Sequence, residues 1–240
     1  MWCLWSAKGG SGCSVATAAL ALQLAERRPV LLVDLGGGDL PAIVGVEPVA
    51  SGLDQWLLAN EPPPDAIARM ECPVTDHLRL LPYDGLAPVG ATPEPGHQAE
   101  LWSESGLGER RRLLSHLLAD DDRLVIVDLG DRGPGPGYPP NADPADPFLA
   151  MASTSTLVIR PCYLALRAAR RLPPADDLII IVEPNRALPI ADVAAALATP
   201  IRAAVRWDPA IARAVDAGLL AQRLPRPLKR LVAAGRGHGE

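Results

Sequence analysis

The chain has no run approaching the ~18 consecutive apolar residues that would cross a bilayer as a helix. Its first residues, Met1 to Leu4, set no basic region ahead of a hydrophobic block, so no secretory leader is expected and a cytoplasmic protein is. Cys3, Cys13, Cys72 and Cys162 lie far apart without a Cys-x-x-Cys pair. That spacing argues against both a disulfide framework and a zinc ribbon, and for reduced thiols. His77, His97, His116 and His238 show no metal-ligand spacing and read as surface residues. Lysine is scarcer still: of 23 basic residues only Lys8 and Lys229 are lysine, the rest being arginine. In a chain also rich in alanine and proline this reflects a codon bias towards G and C. A lysine retained against it is informative.

What is present is ordinary globular material, 48% hydrophobic and 21% charged over 240 residues, enough to bury a core. Trp2 to Ser6 reads as a strand, followed by a glycine cluster and a helix from Ser14 to Arg27 with apolar residues at helical spacing. Val30 to Leu35 reads as a second buried strand, stopped by Gly36, Gly37 and Gly38. A short helix over Leu53 to Ala59, begun by Ser51, a third strand over Leu78 to Leu81, a helix over Arg110 to Leu118 and a strand over Leu124 to Leu129 follow. The pattern then continues with a strand Leu157 to Arg160, a helix Leu164 to Leu172, a strand Leu178 to Val182, a helix Ile190 to Leu197 and a strand Ile201 to Val205. Residues 82–108 and 130–147 are rich in proline and glycine, and the second stretch is incompatible with a helix or a central strand. Strands apolar on both faces, alternating with helices, predict one α/β domain over residues 1–240 with a mostly parallel twisted sheet flanked by helices.

Charge is unevenly placed. Residues 201–240 hold eight basic side chains against three acidic ones, a net +5, which leaves −10 on the rest. The basic end is either a solvated arginine-rich surface or a face that meets a phosphate backbone, an anionic lipid surface or an acidic protein. Leu224, Leu228 and Leu231 among Arg223, Arg226, Lys229 and Arg230 form an amphipathic stretch broken by Pro225 and Pro227. Its use is either docking on the domain or membrane attachment.

Between the first strand and the first helix lies Ala7-Lys8-Gly9-Gly10-Ser11-Gly12-Cys13-Ser14. Glycines there let backbone N–H groups converge on an anion, and the helix N-terminus adds its positive end, so the segment is built for phosphate. Against the common G-x-x-x-x-G-K-[ST] pattern, Ala7 replaces the first glycine and Cys13 replaces the lysine, while Ser14 keeps the hydroxyl that would meet Mg²⁺. A helix N-terminus among amides lowers a thiol pKa, but a thiolate at position 13 would repel phosphate, so Cys13 reads as either a redox-active thiol or, in preference, a passive small side chain. Asp34 and Asp128 end their strands at the carboxyl edge of the sheet, either as turn caps or as metal-linked carboxylates.

The loop resembles the deviant Walker A motif K-G-G-x-G-K-[ST] of the MinD/ParA family of P-loop ATPases. Lys8, Gly9, Gly10, Gly12 and Ser14 match it, and Cys13 departs. Val30-Leu-Leu-Val-Asp34, Leu124-Val-Ile-Val-Asp128, Leu157-Val-Ile-Arg-Pro161 and the segment Trp207 to Gly218 resemble, in order, its second strand, Walker B strand, later strand and closing segment beside the adenine. The resemblance implies ATP and Mg²⁺ as cofactors and Lys8, Asp34 and Asp128 as catalytic residues. It further implies Ser14 and Asp128 at the metal, and Gly9, Gly10, Ser11, Gly12, Cys13, Ser14, Asn185, Asp208 and Pro209 at the nucleotide. Lys8 would reach the phosphates of the partner subunit in an ATP-bound homodimer.

Departures accompany the matches. Gly36 stands where the family commonly has a second carboxylate, with Asp39 only approximately placed, and Glu183 stands where a base-recognising asparagine is expected, with Asn185 two residues on. Asp128-Leu-Gly-Asp-Arg-Gly133 sets its second glycine one residue late. Loss of the second loop lysine makes the loop most similar to the CpaE/TadZ branch, which places Tad-type pilus machinery at the cell pole. The resemblance therefore implies a positioning switch that binds ATP weakly, hydrolyses it slowly or not at all, and localises a pilus, secretion or cell-division assembly at the pole or inner membrane surface. A pseudo-ATPase adaptor without nucleotide and a ParA-like protein that binds DNA through the basic C-terminal face are the alternatives. Two cysteines per subunit near the switch regions, as in the related iron proteins, are not found.

Overall fold

The computed structural model describes residues 1–47, 52–58, 63, 65–83, 107–132 and 146–232. Eight strands form one sheet: β1 Trp2–Ser6, β2 Val30–Asp34, β3 Cys72–Thr75, β4 Leu78–Leu81, β5 Leu124–Asp131, β6 Thr154–Ile159, β7 Asp177–Val182 and β8 Ile201–Arg206. Their spatial order is β3-β4-β2-β5-β1-β6-β7-β8, with β3 antiparallel to β4 and every other neighbour parallel. This is the mostly parallel, helix-flanked α/β sheet the sequence predicts.

The helices are α1 Cys13–Ala25, α2 Leu40–Val44, α3 Leu53–Leu58, α4 Ala66–Met70, α5 Leu107–Ala119, α6 Pro147–Met151, α7 Tyr163–Ala169, α8 Ile190–Leu197 and α9 Pro209–Asp216, with a 3₁₀ turn at Leu228–Arg230. Alternation along each strand divides the core between the two faces of the sheet. Cys3, Trp5, Leu31, Val33, Val125 and Val127 point to one side, where they meet Trp56, Leu114 and Phe148. Leu4, Val30, Leu32 and Ile126 point to the other, onto α1. Helix α1 is an alanine- and leucine-rich segment buried almost all round, because the C-terminal turn covers the side that the sheet does not. Leu228 and Leu231 are buried in that cluster, and Gln23 Nε2 donates to Leu228 O at 2.9 Å. Leu228 and Leu231 are thus spent on docking against the domain, with Leu224 partly buried on the same cluster.

Several details depart from the sequence reading. β5 runs to Asp131 rather than stopping at Leu129, because its pairing with β1 shifts after Leu4 and resumes at Ser6 opposite Asp131. Gly130 takes the left-handed φ of 64° within that irregularity. Pro147 opens α6, where its missing N–H costs nothing, capped by the Asp146 carboxylate on Phe148 N at 2.9 Å. Ser51, Ala59, His97, His238, Gly133, Arg236 and most of 82–108 and 130–147 lie outside the described residues. Among the described residues no helix is long and apolar enough to cross a membrane.

Candidate phosphate-binding site

Strand β1 delivers the glycine loop to the carboxyl edge of the sheet and α1 leaves from it. Gly10 and Gly12 adopt φ of 73° and 86°, a left-handed conformation that suits glycine alone. Ser11 Oγ donates to Lys8 O at 2.5 Å, and Ser6 Oγ lies 3.2 Å from the same carbonyl and 3.3 Å from Gly130 O. The backbone of Lys8 is therefore held while the residue itself is exposed. Gly12 is the N-cap of α1 and no side chain caps the first turn, which leaves its N–H groups free for an anion. A cavity of about 480 Å³ opens there, lined by Gly9 to Val15, by Gly36 and Asp39, by Ala42 and Ile43 of α2, by Gly130 and Asp131, and by Val215 of α9.

Beneath the loop lie three coupled groups. Cys13 Sγ donates to Asp128 Oδ1 at 3.2 Å, an oxygen that also accepts Gly130 N at 3.0 Å. Burial, and next the negative Asp128, push the Cys13 thiol well above its ordinary pKa. The helix end would lower it, but burial and the carboxylate beside the sulfur outweigh that, in keeping with a passive side chain. Asp128 is fully buried and its own pKa is raised by that burial, against the Ser14 hydroxyl, the Gly130 N–H and the Cys13 thiol. Among the described residues no group makes a well-formed hydrogen bond to Asp128 Oδ2. A hydroxyl and a carboxylate oxygen with unfilled lone pairs fit a magnesium ion, which takes oxygen ligands and keeps its waters. Ser14 and Asp128 are the residues that would hold it.

Asp34 is differently used. Oδ1 accepts Gly36 N at 3.0 Å and Gly38 N at 3.3 Å, and Oδ2 accepts Leu40 N at 3.1 Å, so the carboxylate organises the turn into α2. Burial and the neighbouring Asp128 lift its pKa to about 6, against those amides. Asp39 is exposed at the start of α2. Gly36 packs so tightly that a Cβ there would come within 2.9 Å of the Asp128 carboxylate, and a Cβ on Gly130 would come within 2.6 Å of the Gly36 Cα. The turn after β2 and the end of β5 are in backbone contact, leaving no room for a carboxylate at position 36.

The remaining sequence candidates gather at the ends of β7 and β8. An added Cβ on Gly12 would lie 3.7 Å from Ile181 Cγ1, so the phosphate loop abuts β7. Beyond it a second cavity of about 360 Å³ is lined by Glu183, Pro184, Asn185, Arg186 and Trp207. Asn185 lies there at φ 62°. Asp208 caps α9 by accepting Ala210 N at 2.8 Å, and Pro209 opens that helix. Ser6 and Gly130 are among the residues that sequence reasoning left out of the site, and Trp207 entered it only as the start of the closing segment. Trp207 carried a signal, since it directly precedes Asp208-Pro209, whereas the roles of Ser6 and Gly130 depend on a contact between β1 and β5.

No protein-family model matches the chain, and no curated protein matches it in sequence. Solved structures do. A ParA family ATPase from Chlorobium tepidum TLS superposes with a TM-score of 0.66 at 20% identity, covering 97% of this chain and 98% of that one. The septum site-determining protein MinD from Pyrococcus horikoshii OT3, complexed with Mg-ADP, gives 0.66 at 18% identity over 98% and 95% of the two chains. A putative plasmid partition protein from Borrelia burgdorferi B31, bound to AMPPNP, gives 0.65 at 14% identity over 97% and 96%. With so little identity over nearly the whole of each chain, the shared feature is the path of the backbone: this chain has the fold of the ParA and MinD ATPases.

Proposed function

We propose that the chain is a nucleotide-binding positioning switch of the ParA/MinD kind that binds Mg-ATP weakly and hydrolyses it slowly or not at all. The observation that carries this reading is the Cys13 thiol on Asp128 inside a loop otherwise shaped for phosphate. The loop amides and the open first turn of α1 bind the phosphates, and Ser11 and Ser6 hold the loop in shape. Magnesium, when bound, neutralises charge on the outer phosphates. Phosphoryl transfer depends on stabilising charge that spreads over the γ-phosphate, and a protonated thiol at position 13 supplies none. Gly36 leaves the site without the second carboxylate as well. The exposure of Lys8 supports a role in reaching a nucleotide held by a second copy, so that ATP would close a dimer that localises a partner assembly. Loss of the loop lysine supports a CpaE/TadZ-like role beside a Tad-type pilus machine.

Titration calorimetry with Mg-ATP tests the binding step, and light scattering of the wild type and Lys8→Ala tests the dimer. Saturable binding and an ATP-induced doubling of mass that Lys8→Ala abolishes are expected. No heat at millimolar nucleotide would overturn the switch and leave the nucleotide-free adaptor. One observation favours a further partner: Arg206, Arg213, Arg223, Arg226, Lys229 and Arg230 are exposed, and none is in an ion pair among the described residues. A DNA-binding face there predicts affinity that falls steeply with salt; a flat response excludes it.

A further inference from the structure

Arg132 leaves the carboxyl end of β5, Asp146 opens α6, and their side chains form an ion pair. Asp146 is buried and fully engaged. Its Oδ1 accepts Phe148 N at 2.9 Å, and its Oδ2 accepts from Arg132 Nη1 and, at 3.2 Å, from Arg111 Nη2 of α5. The Arg111 guanidinium in turn lies over the Phe148 ring, 5.0 Å from its centroid. Burial would raise the Asp146 carboxyl, but Arg132 and then Arg111 hold it below its ordinary range. An ionised carboxylate that takes two guanidiniums and a backbone amide is a fixed point to which α5, α6 and the end of β5 are all tied.

Arg132 joins this fixed point to the phosphate site. While its side chain is on Asp146, its backbone N–H donates to Ser6 O at 2.8 Å. Ser6 is buried, and its hydroxyl lies between Lys8 O at 3.2 Å and Gly130 O at 3.3 Å. Asp131, next to Arg132, also approaches the loop, since its Oδ2 would stand 3.2 Å from a Cβ added to Gly9. Ser6, Gly130 and Asp131 all line the phosphate cavity, and neither Arg132 nor Asp146 is among its lining residues. The register of β1 on β5 shifts at this point, so the ladder constrains the end of β5 less than it does the middle of the strand.

From this arrangement we infer that Arg132 is a positioning residue for the phosphate site, held by Asp146 so that the end of β5 keeps Ser6, Gly130 and Asp131 against the glycine loop. The inference rests on the nucleotide-binding reading above and deepens it. Groups that converge on an anion bind it well only when the residues behind them are themselves locked by packing and hydrogen bonds, and Arg132 locks this end of the strand on both its main chain and its side chain. A guanidinium near a phosphate site has a second use, direct attraction to the anion. The two uses predict opposite effects of neutralising Asp146: positioning is weakened, whereas an arginine that attracts phosphate directly is released to do so.

The test is calorimetry of the full chain with Mg²⁺ and, in turn, ATP and inorganic tripolyphosphate. Arg132→Met should weaken both ligands by about tenfold, the scale of one charge-assisted hydrogen bond. Arg132→Lys should restore most of that, because one nitrogen makes the contact to Asp146. In Arg132→Met the Asp146 carboxylate keeps Arg111 and Phe148 N, so no buried charge is stranded and the fold is retained, which urea denaturation checks. Asp146→Asn leaves an oxygen to cap α6 and should weaken both ligands by about threefold or more. The double variant should bind within about twofold of Arg132→Met alone, since the two residues act as one unit. Unchanged affinity in Arg132→Met, no recovery in Arg132→Lys, or unchanged or tighter binding in Asp146→Asn overturns the positioning role and leaves the phosphate site standing. Failure of both ligands to bind the wild type overturns both readings.

Discussion

Cys13 Sγ and Asp128 Oδ1 meet at 3.2 Å although 115 residues separate them in sequence. The thiol that replaces the loop lysine is thus the partner of a carboxylate carried by the central strand β5. Returning a cation to this position restores a charge-assisted contact to phosphate, so Cys13→Lys is expected to tighten Mg-ATP binding by between about tenfold and a hundredfold. Turnover should stay low, because Gly36 still supplies no carboxylate. Calorimetry and phosphate release check the two halves; an unchanged Kd would refute the first.

The same contact makes Cys13 chemically quiet. A thiol that is buried, donating and raised in pKa is seldom the thiolate that reacts. Under native conditions a disulfide reagent should label the partly exposed Cys162 first and leave Cys3, Cys13 and Cys72 for the unfolded chain. Mass spectrometry of partially labelled protein reads the order, and early labelling of Cys13 would contradict the geometry.

Close backbone approaches predict where added volume is not tolerated. A Cβ on Gly45 would fall 1.9 Å from Gly218 O at a φ of +76°, where the end of α2 meets the end of α9. On Gly36 it would meet the Asp128 carboxylate at 2.9 Å. Overpacking commonly costs about 1–3 kcal/mol, and Gly45→Ala, with a backbone clash and a left-handed φ together, should exceed Gly36→Ala. Urea denaturation ranks them; equal midpoints would show that α2 yields freely.

Asp34 gives the folded chain a pH dependence. Its pKa is raised by burial and then by Asp128 to about 6 from 3.8, so the folded state binds this proton more tightly than the unfolded state. The stability it contributes is full only well below the unfolded pKa of 3.8 and is lost as pH rises through 6. Relative to Asp34→Asn, the wild type should therefore lose about 2 kcal/mol between pH 4 and pH 7. Denaturant titrations of both proteins at several pH values measure the difference, and a constant gap would mean that Asp34 is ionised throughout.

Much of the fold was legible because its signals are local. The apolar blocks of β1, β2, β5 and β7 are contiguous, and the bounds of α8 were read as they stand. The short elements escaped. α2, α4 and α6 are five residues each, too brief to show a helical period and interrupted or preceded by Pro41, Asp65 or Pro147. β3 is a four-residue edge strand containing Pro73, which an edge admits and a sequence rule rejects. The site divides in the same way. Lys8, the glycines and Ser14 form one continuous motif, whereas the occupation of Asp34 by its own turn and of Glu183 by two arginines could be seen only in space.

The sequence by itself determined the alternating α/β order, the phosphate loop between β1 and α1, and the retention of lysine at position 8 with its loss at position 13, since each is written in neighbouring residues. Tertiary structure alone decided what Cys13 touches, whether position 36 has room for a carboxylate, and that Trp207 faces a cavity beside the loop. These properties arise where the ends of parallel strands converge, and the packing that brings residues far apart in the chain to one edge of the sheet leaves no trace in the order of the residues themselves.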